Sequence, residues 1–276
     1  MPAYFIAEIG QNHQGSIDLA IEMVDSLVGT GVNAIKTAKR DVNSFPKEWD
    51  TMPYDNPNSF GKTYGEHRRF LELSDDDFIY LAKYVKMRGF DFISSFTDMP
   101  SFNFLFKYIQ PRYYKIASSR AVDYDLLKWV AHQDVPVILS TGMCTFYDVM
   151  MAYKGLRPEV IMQCTSSYPT DLKDVNLNVI KEYQKHFDCE IGLSGHHLGI
   201  TPDVLAYSIG ATFLERHYTL DKKMKGTDHA CSLVKREVVE LLEKLNGIDD
   251  ILGSHEKTVL PCEELAIKKL RYDLRV

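Results

Sequence analysis

The sequence predicts an α/β fold, a closed (β/α)8 TIM barrel, from three observations. Eight short apolar runs recur along the chain, segments of helical period lie between them, and 276 residues match the roughly 250 that one such barrel needs. The runs are Tyr4 to Ile9, Ala34 to Lys36, Phe90 to Ser95, Tyr113 to Ala117, Val137 to Thr141, Val160 to Cys164, Glu190 to Ser194 and Phe213 to His217. From the third onward they start about 23 to 30 residues apart, the length of one strand–helix unit, and no Gly/Ser/Pro-rich linker breaks the series. Residues 1–250 are expected to form the barrel and 251–276 a helical extension packed on it. A doubly wound open sheet is the weaker reading, because no GxGxxG follows any run.

The first connecting helix shows in Ile17, Ala20, Ile21, Val24 and Leu27. After the second run the stretch Asp41 to Leu73 is rich in Pro, Asn, Asp and Tyr, which predicts an extended loop over the carboxyl-end mouth. Ser74 then supplies an N-cap and Asp75 to Asp77 an acidic first turn, ahead of Phe78, Leu81, Ala82 and Val85 on one helical face. Lys235 to Leu245 reads as the eighth helix and Cys262 to Leu270 as one more short one.

Bulk composition excludes several classes of function. A net charge of -6, from 32 basic and 38 acidic residues without long runs, gives no reason to expect nucleic acid. Five cysteines, odd in number and without a CxxC pair, indicate neither a disulfide framework nor a zinc cage. No stretch has the make-up of a signal peptide or a membrane span, so a cytoplasmic protein with no membrane partner is expected.

Strand side chains alternate, so polar residues near the carboxyl ends can be tested for a common face. Tyr4, Ile6 and Glu8 share one, as do Tyr113, Lys115 and Ala117, then Gly192, Ser194 and His196, and finally Phe213, Glu215 and His217. Active sites of such barrels lie at that edge. Two imidazoles on adjacent strands suit a borderline divalent ion such as Mn2+, Zn2+ or Fe2+, with water or substrate oxygens completing its shell. Buried lysines are costly unless they meet an anion, so Lys36 and Lys115 are candidate grips for phosphate or carboxylate; an interior salt bridge to Glu8 or Glu215 is the alternative. Hydroxyls at Ser95, Ser118, Ser140 and Ser194 would complete an oxyanion ring. His197 should point away from the barrel axis, and His13, His67, His132, His186, His229 and His255 lack equivalent strand positions.

The stretch Ala7-Glu8-Ile9-Gly10-Gln11-Asn12-His13-Gln14-Gly15 resembles the opening signature of the N-acetylneuraminate (sialic acid) synthase family. Further family-like stretches follow in order: Lys115 to Ser118, Ile138 to Met143, Cys164 to Thr170, Gly192 to His196 and Leu214 to His217. The resemblance covers nearly the whole chain. It implies condensation of phosphoenolpyruvate with an open-chain N-acyl hexosamine or related aldose, with Mn2+ or a similar ion (Mg2+, Co2+ or Fe2+), in a homodimer. It also implies residue roles: Lys36, Ser95, Lys115, Ser118, Ser140, Ser166 and Ser194 as the phosphoenolpyruvate grip, with Tyr168 beside it, and His196 and His217 as metal ligands. Glu8 and Asp228 become the carboxylates that hold water and the reacting carbonyl, with Glu215 as a third.

Three departures bear on the acceptor. Ala38 stands where the family commonly has glutamine, and Arg120 where it commonly has glutamate. The family's antifreeze-like carboxyl-terminal domain, which supplies an arginine to the acceptor's N-acyl end, is not expected within these 276 residues, although a separate antifreeze-like chain would meet the same need. Those departures leave a second reading open, a phosphoenolpyruvate-binding subunit or weakly active homologue needing a partner chain, and a third, a synthase for another 2-keto-3-deoxy sugar acid.

Overall fold

The computed structural model describes residues 3–271, and in it eight parallel strands close into one barrel in chain order, β1 pairing with both β2 and β8. The elements are β1 (Tyr4–Glu8), α1 (Ile17–Ser26), β2 (Ala34–Lys39), α2 (Tyr64–Phe70), α3 (Asp75–Met87), β3 (Asp91–Phe96), α4 (Met99–Phe104), β4 (Tyr113–Ile116) and α5 (Tyr124–Ala131). Then come β5 (Val137–Ser140), α6 (Phe146–Leu156), β6 (Val160–Cys164), α7 (Asn178–His186), β7 (Glu190–Gly195), α8 (Thr201–Ser208), β8 (Phe213–His217), α9 (Lys235–Leu252) and α10 (Glu264–Leu270).

Strand alternation divides the core in two. Outward residues such as Phe5, Ile35, Phe92, Leu139, Ile161 and Leu214 pack under the helices, while Ile6, Ala34, Ile93, Ile138, Val160, Met162 and Phe213 fill the barrel interior. Both faces of each strand are therefore buried, which is why the runs read as nearly continuous apolar sequence. The interior is apolar at its amino end, where Tyr113 meets Tyr4 and Phe213 edge to face, and polar at its carboxyl end. Register carries the polar layer around the barrel: Glu8 lies opposite Lys36 and His217, Ser95 opposite Lys115, and Ser194 opposite Glu215.

Several helices start at a side-chain cap, Ser74 as the sequence predicts. Ser16 accepts from the Leu19 amide at 3.3 Å, Ser74 from Asp77 at 3.1 Å, and Thr145 forms a reciprocal capping box with Asp148. The segment 41–73 differs from a plain extended loop. It holds two short turns and α2, which a Thr63–Glu66 capping box starts: Thr63 Oγ1 accepts from Glu66 N at 3.1 Å, and Glu66 Oε2 accepts from Thr63 N at 3.3 Å. That T-x-x-E spacing was available in the sequence.

The carboxyl-terminal segment also differs from expectation. Helix α9 runs seven residues beyond Leu245, to Leu252, and α10 buries none of its side chains, Leu265 being 80% and Leu270 71% exposed. Residues 251–262 are all exposed, so the described part of 251–276 does not pack on the barrel; 272–276 lie outside the described residues. With only Leu265, Ile267 and Leu270 as large apolar positions in seven residues, α10 has little to bury. Among the described residues, no helix is long and apolar enough to cross a membrane.

Candidate active site

The polar layer opens into a cavity of about 1040 Å³ at the carboxyl ends of the strands. All of the sequence-derived site residues line it: Glu8, Lys36, Ser95, Lys115, Ser118, Arg120, Ser140, Ser166, Tyr168, Ser194, His196, Glu215, His217 and Asp228.

His196 sits one residue past β7, and His217 is the last residue of β8. Their ring centroids are 5.5 Å apart. His196 Nδ1 meets the Thr165 carbonyl at 2.9 Å; a carbonyl only accepts, so Nδ1 carries the proton and Nε2 keeps its lone pair. Burial, reinforced by His217, pushes His196 down to about 3, and burial also lowers His217, so both rings are neutral near pH 7. His217 Nδ1 is buried without a hydrogen bond and lies 3.9 Å from Asp228 Oδ2. The Tyr168 ring lies 4.1 Å from that of His196 and meets His217 edge-on at 6.0 Å.

No three His, Cys, Asp or Glu side chains among the described residues converge as a ready-made cage. The donor set is two neutral imidazoles backed by carboxylates, with His217 Nδ1 and Glu215 Oε2 both buried and unpartnered. That set fits a divalent ion that takes its other ligands from water or substrate.

Opposite the histidines lie the cations. Lys115 Nζ is 2.6 Å from Glu215 Oε1, and Lys36 Nζ contacts Glu8 and lies 3.6 Å from Glu215. The interior salt bridges considered as the alternative are thus present, yet both ammonium groups also face the cavity. Burial pushes Lys36 down to about 7, while Lys115 and Lys36 together overcome burial and hold Glu215 down to about 2. Beside them, Ser140 Oγ and Ser166 Oγ are buried with no hydrogen-bond partner, and Ser118 Oγ accepts from the Gly142 amide at 3.0 Å. Gly142 must be glycine, since a Cβ there would run into the Ser166 and Ser118 hydroxyls. Two lysines and unused buried hydroxyls make a receptor for a small polyanion.

Arg120 lies at the cavity rim, 42% of its side chain exposed, with Nη1 3.3 Å from Asp123 Oδ2. The arginine therefore lines the cavity and pairs with the surface carboxylate at once. Ala38 lines the wall between Lys36 and Arg40.

Residue-level reading of the sequence missed the outer wall. Arg40, Asp98, Trp49, Tyr54, Tyr64, His67 and Arg68 line it, most of them from the segment 41–73. His67, set aside for want of a strand position, accepts from the Phe60 amide at 3.2 Å and lies among the rings of Tyr54, Phe60 and Tyr64. Arg40 could have been found, because Lys36, Ala38 and Arg40 continue one strand face. Arg68 had no such signal. His13 and His229 are buried away from the cavity, and His197 faces outward as expected, bonded to Asp203 of α8.

Residues 23–257 match the model of the NeuB family. The chain belongs to the NeuB family. It is 39% identical over 275 residues to N-acetylneuraminate-9-phosphate synthase of Homo sapiens, covering 98% of this chain and 76% of that protein. It is 33% identical over 270 residues to N,N'-diacetyllegionaminic acid synthase of Legionella pneumophila, covering 93% and 75%. Its fold is similar to the crystal structure of N-acetylneuraminic acid synthetase from Leptospira borgpetersenii in complex with citrate, with a TM-score of 0.85, 28% identity and coverage of 99% and 93%. The NeuB chain is a phosphoenolpyruvate-condensing nonulosonic acid synthase.

Proposed function

We propose that this NeuB-family chain condenses phosphoenolpyruvate with an open-chain N-acyl hexosamine bearing a terminal phosphate, giving a sialic acid-like nonulosonic acid phosphate and inorganic phosphate. One observation carries the chemistry: a single cavity sets two neutral imidazoles, that of His196 oriented by the Thr165 carbonyl and that of His217 with an unpartnered Nδ1, against two lysines and unpartnered buried hydroxyls. Lys36, Lys115 and Ser95, Ser118, Ser140, Ser166 and Ser194 hold the donor's phosphate and carboxylate, and His196 and His217 hold a divalent ion. Mn2+ suits that donor set. When bound, the ion supplies Lewis acidity that polarises the acceptor aldehyde.

Carbon 3 of phosphoenolpyruvate attacks the aldehyde carbon, forming the new C–C bond as the carbonyl oxygen takes a proton. Water then adds at carbon 2 and gives up one proton, matching the one taken by the carbonyl oxygen, and the resulting hydroxyl gives up the second as phosphate leaves by C–O cleavage, which leaves the 2-keto group. Glu8 at the end of β1, fixed by the Gly10 amide at 2.5 Å, and Asp228 on the segment after β8, fixed by the Thr227 hydroxyl at 2.8 Å, orient the water and the aldehyde. The lysines balance the donor's charge.

The acceptor follows from carbon arithmetic and charge. A nine-carbon acid built on a three-carbon donor needs a six-carbon acceptor, and a product phosphorylated at its far end needs an acceptor phosphorylated there. The N-acetylneuraminate-9-phosphate synthases are 37 to 39% identical to this chain, against 33% or less for the legionaminic and pseudaminic acid synthases. The outer wall supports this acceptor, because Arg68 stands there beside Arg40, whose guanidinium is held by Glu72 at 2.8 Å. Arg68 Nη1 donates to Gln11 Oε1 at 2.9 Å, and its Nε is buried and unpartnered. Burial and Arg40 lower Arg68 only to about 10, so it stays cationic near pH 7. The test is phosphate release from phosphoenolpyruvate with Mn2+ and an N-acyl hexosamine with or without a 6-phosphate. A higher kcat/KM without the phosphate would overturn the phosphorylated acceptor, and no release with any acceptor would overturn catalysis by the isolated chain. Sedimentation of the chain alone checks the homodimer that the family resemblance implies.

A further inference from the structure

Strand β8 alternates, so Glu215 and His217 face the cavity and Arg216 between them faces the helices. Arg216 is only 1% exposed and is among the largest fully buried side chains. Its Nη1 donates to Asp203 Oδ2 at 2.5 Å and to the Gly199 carbonyl at 2.9 Å, and lies 2.8 Å from His197 Nε2. Its Nη2 donates to the His197 carbonyl at 2.5 Å and to the Cys231 carbonyl at 3.3 Å. Asp203, 0% exposed in the first turn of α8, also meets His197 Nε2 at 3.0 Å.

We propose that Arg216, with Asp203 and His197, is a buried clamp behind the barrel wall that fixes His196, His217 and Asp228 relative to one another. The carbonyls it holds belong to two segments of the site, the one that follows β7 and the one that follows Asp228. His197 is the residue after His196, Gly199 begins the chain's path from β7 into α8, and Cys231 ends the turn that follows Asp228. Arg216 itself is the residue before His217. The planar fork of a guanidinium reaches these groups at once, which one ammonium on a flexible stem does not do. The end of β7 is fitted to the clamp: a Cβ on Gly195 would run into the His197 ring and the Arg216 side chain.

Stability alone does not account for the arrangement, because a buried ion pair is often no better than well-packed apolar residues of the same volume. Geometry does. Two imidazoles that share one ion leave little tolerance for drift of the strand ends that carry them. Arg216 is a positioning residue. The inference rests on His196 and His217 binding an ion, so its test also includes a readout that needs none.

Arg216→Lys and Asp203→Asn are compared with the parent by thermal unfolding, calorimetric titration with Mn2+ and with phosphoenolpyruvate, and the imidazole ¹⁵N resonances of His196 and His217 in ion-free protein. Folded variants are expected to lose about 10-fold or more in Mn2+ affinity, the usual cost of removing outer-shell support. Both histidine resonances should move, while phosphoenolpyruvate affinity should change little, because its grip comes chiefly from β2 to β6. Unchanged Mn2+ affinity and unchanged resonances in either folded variant would overturn the clamp, as would parallel loss of both ligands in step with melting temperature. If the parent binds no Mn2+, the metal reading fails and the resonances still decide the clamp. If Arg216→Lys does not fold, Asp203→Asn, which keeps the volume and one acceptor, carries the test.

Discussion

The inner and outer halves of one cavity are built differently. The inner half comes from strand ends: Lys36, Lys115, Ser140 and Glu215 are buried and His217 half-buried, and Lys36 and Lys115 reach across the barrel to Glu215. The outer half comes largely from the segment 41–73, whose side chains reach the cavity from turns and one short helix. A barrel fixes what its strands carry and leaves specificity to the loops. Chemistry common to the family therefore belongs inside, and discrimination among acceptors belongs outside.

The sharpest way to break that division is His217→Ala. Lewis-acid stabilisation is worth several kcal/mol, so kcat should fall by about a thousandfold or more and Mn2+ binding should be lost, with every acceptor alike. A variant that kept its Mn2+ affinity in calorimetry would remove His217 from the ligand set.

Lys115→Met should act next, raising the phosphoenolpyruvate dissociation constant by about tenfold or more, because a charged hydrogen bond is worth about 1.5 to 3 kcal/mol. It also strips a buried partner from Glu215, so stability should fall. Adding Glu215→Gln should restore melting temperature without restoring donor affinity; recovery of both would mean that Lys115 serves only the salt bridge.

Arg68→Met tests the outer half. It should raise KM for a phosphorylated acceptor by about tenfold while leaving donor affinity and the unphosphorylated acceptor nearly unchanged. Equal effects on both acceptors, measured by phosphate release, would erase the difference between the halves.

Strand-borne groups were legible in the sequence because period-two alternation says which way a side chain points. Glu8, Lys115, Ser194, Glu215 and His217 could be placed on one face without a structure, and Arg40 by the same rule. The fold followed from the same repetition. Arg68 and Tyr54 could not be placed, since their positions depend on how Thr63 caps α2 and how aromatic rings stack under it. Nor could the clamp behind the wall, because Arg216, Asp203 and Cys231 meet only through tertiary packing. The exposed α10 shows the converse limit: a helical pattern does not say what, if anything, the helix covers.

pH acts on the inner half. Lys36 is pushed from its ordinary 10.5 down to about 7, so the unfolded chain holds more protons than the native one between about pH 7 and 10.5, and this group's contribution to stability rises across that window. Donor binding should run the other way, since a polyanion favours the charged lysine. Above pH 7, calorimetry in buffers of different ionisation enthalpy should show proton uptake with phosphoenolpyruvate, and none would mean that Lys36 is already charged. His196, held down to about 3 against 6.5, contributes stability that is lost as pH falls from about 6.5 toward 3, and Mn2+ affinity should weaken in the same direction.

Arg120 should give the smallest effect and the finest test of where specificity begins. It stands at the boundary, on the turn after β4 but at the rim, and its 3.3 Å contact to Asp123 is a half-exposed pair of the kind worth about 0 to 1 kcal/mol. Losing that pair alone would change little. Reversing the charge at a cavity wall that otherwise offers Arg40 and Arg68 to an anion should matter more, yet solvent screens a group this exposed. Arg120→Glu is therefore expected to raise KM for the phosphorylated acceptor by about two- to fivefold at low salt, with the difference shrinking as ionic strength rises. Donor affinity and melting temperature should stay near the parent's. An identical acceptor profile at low salt would return Arg120 to its partner Asp123 as a surface pair, and the boundary of the acceptor region would then move inward to Arg40 and Arg68.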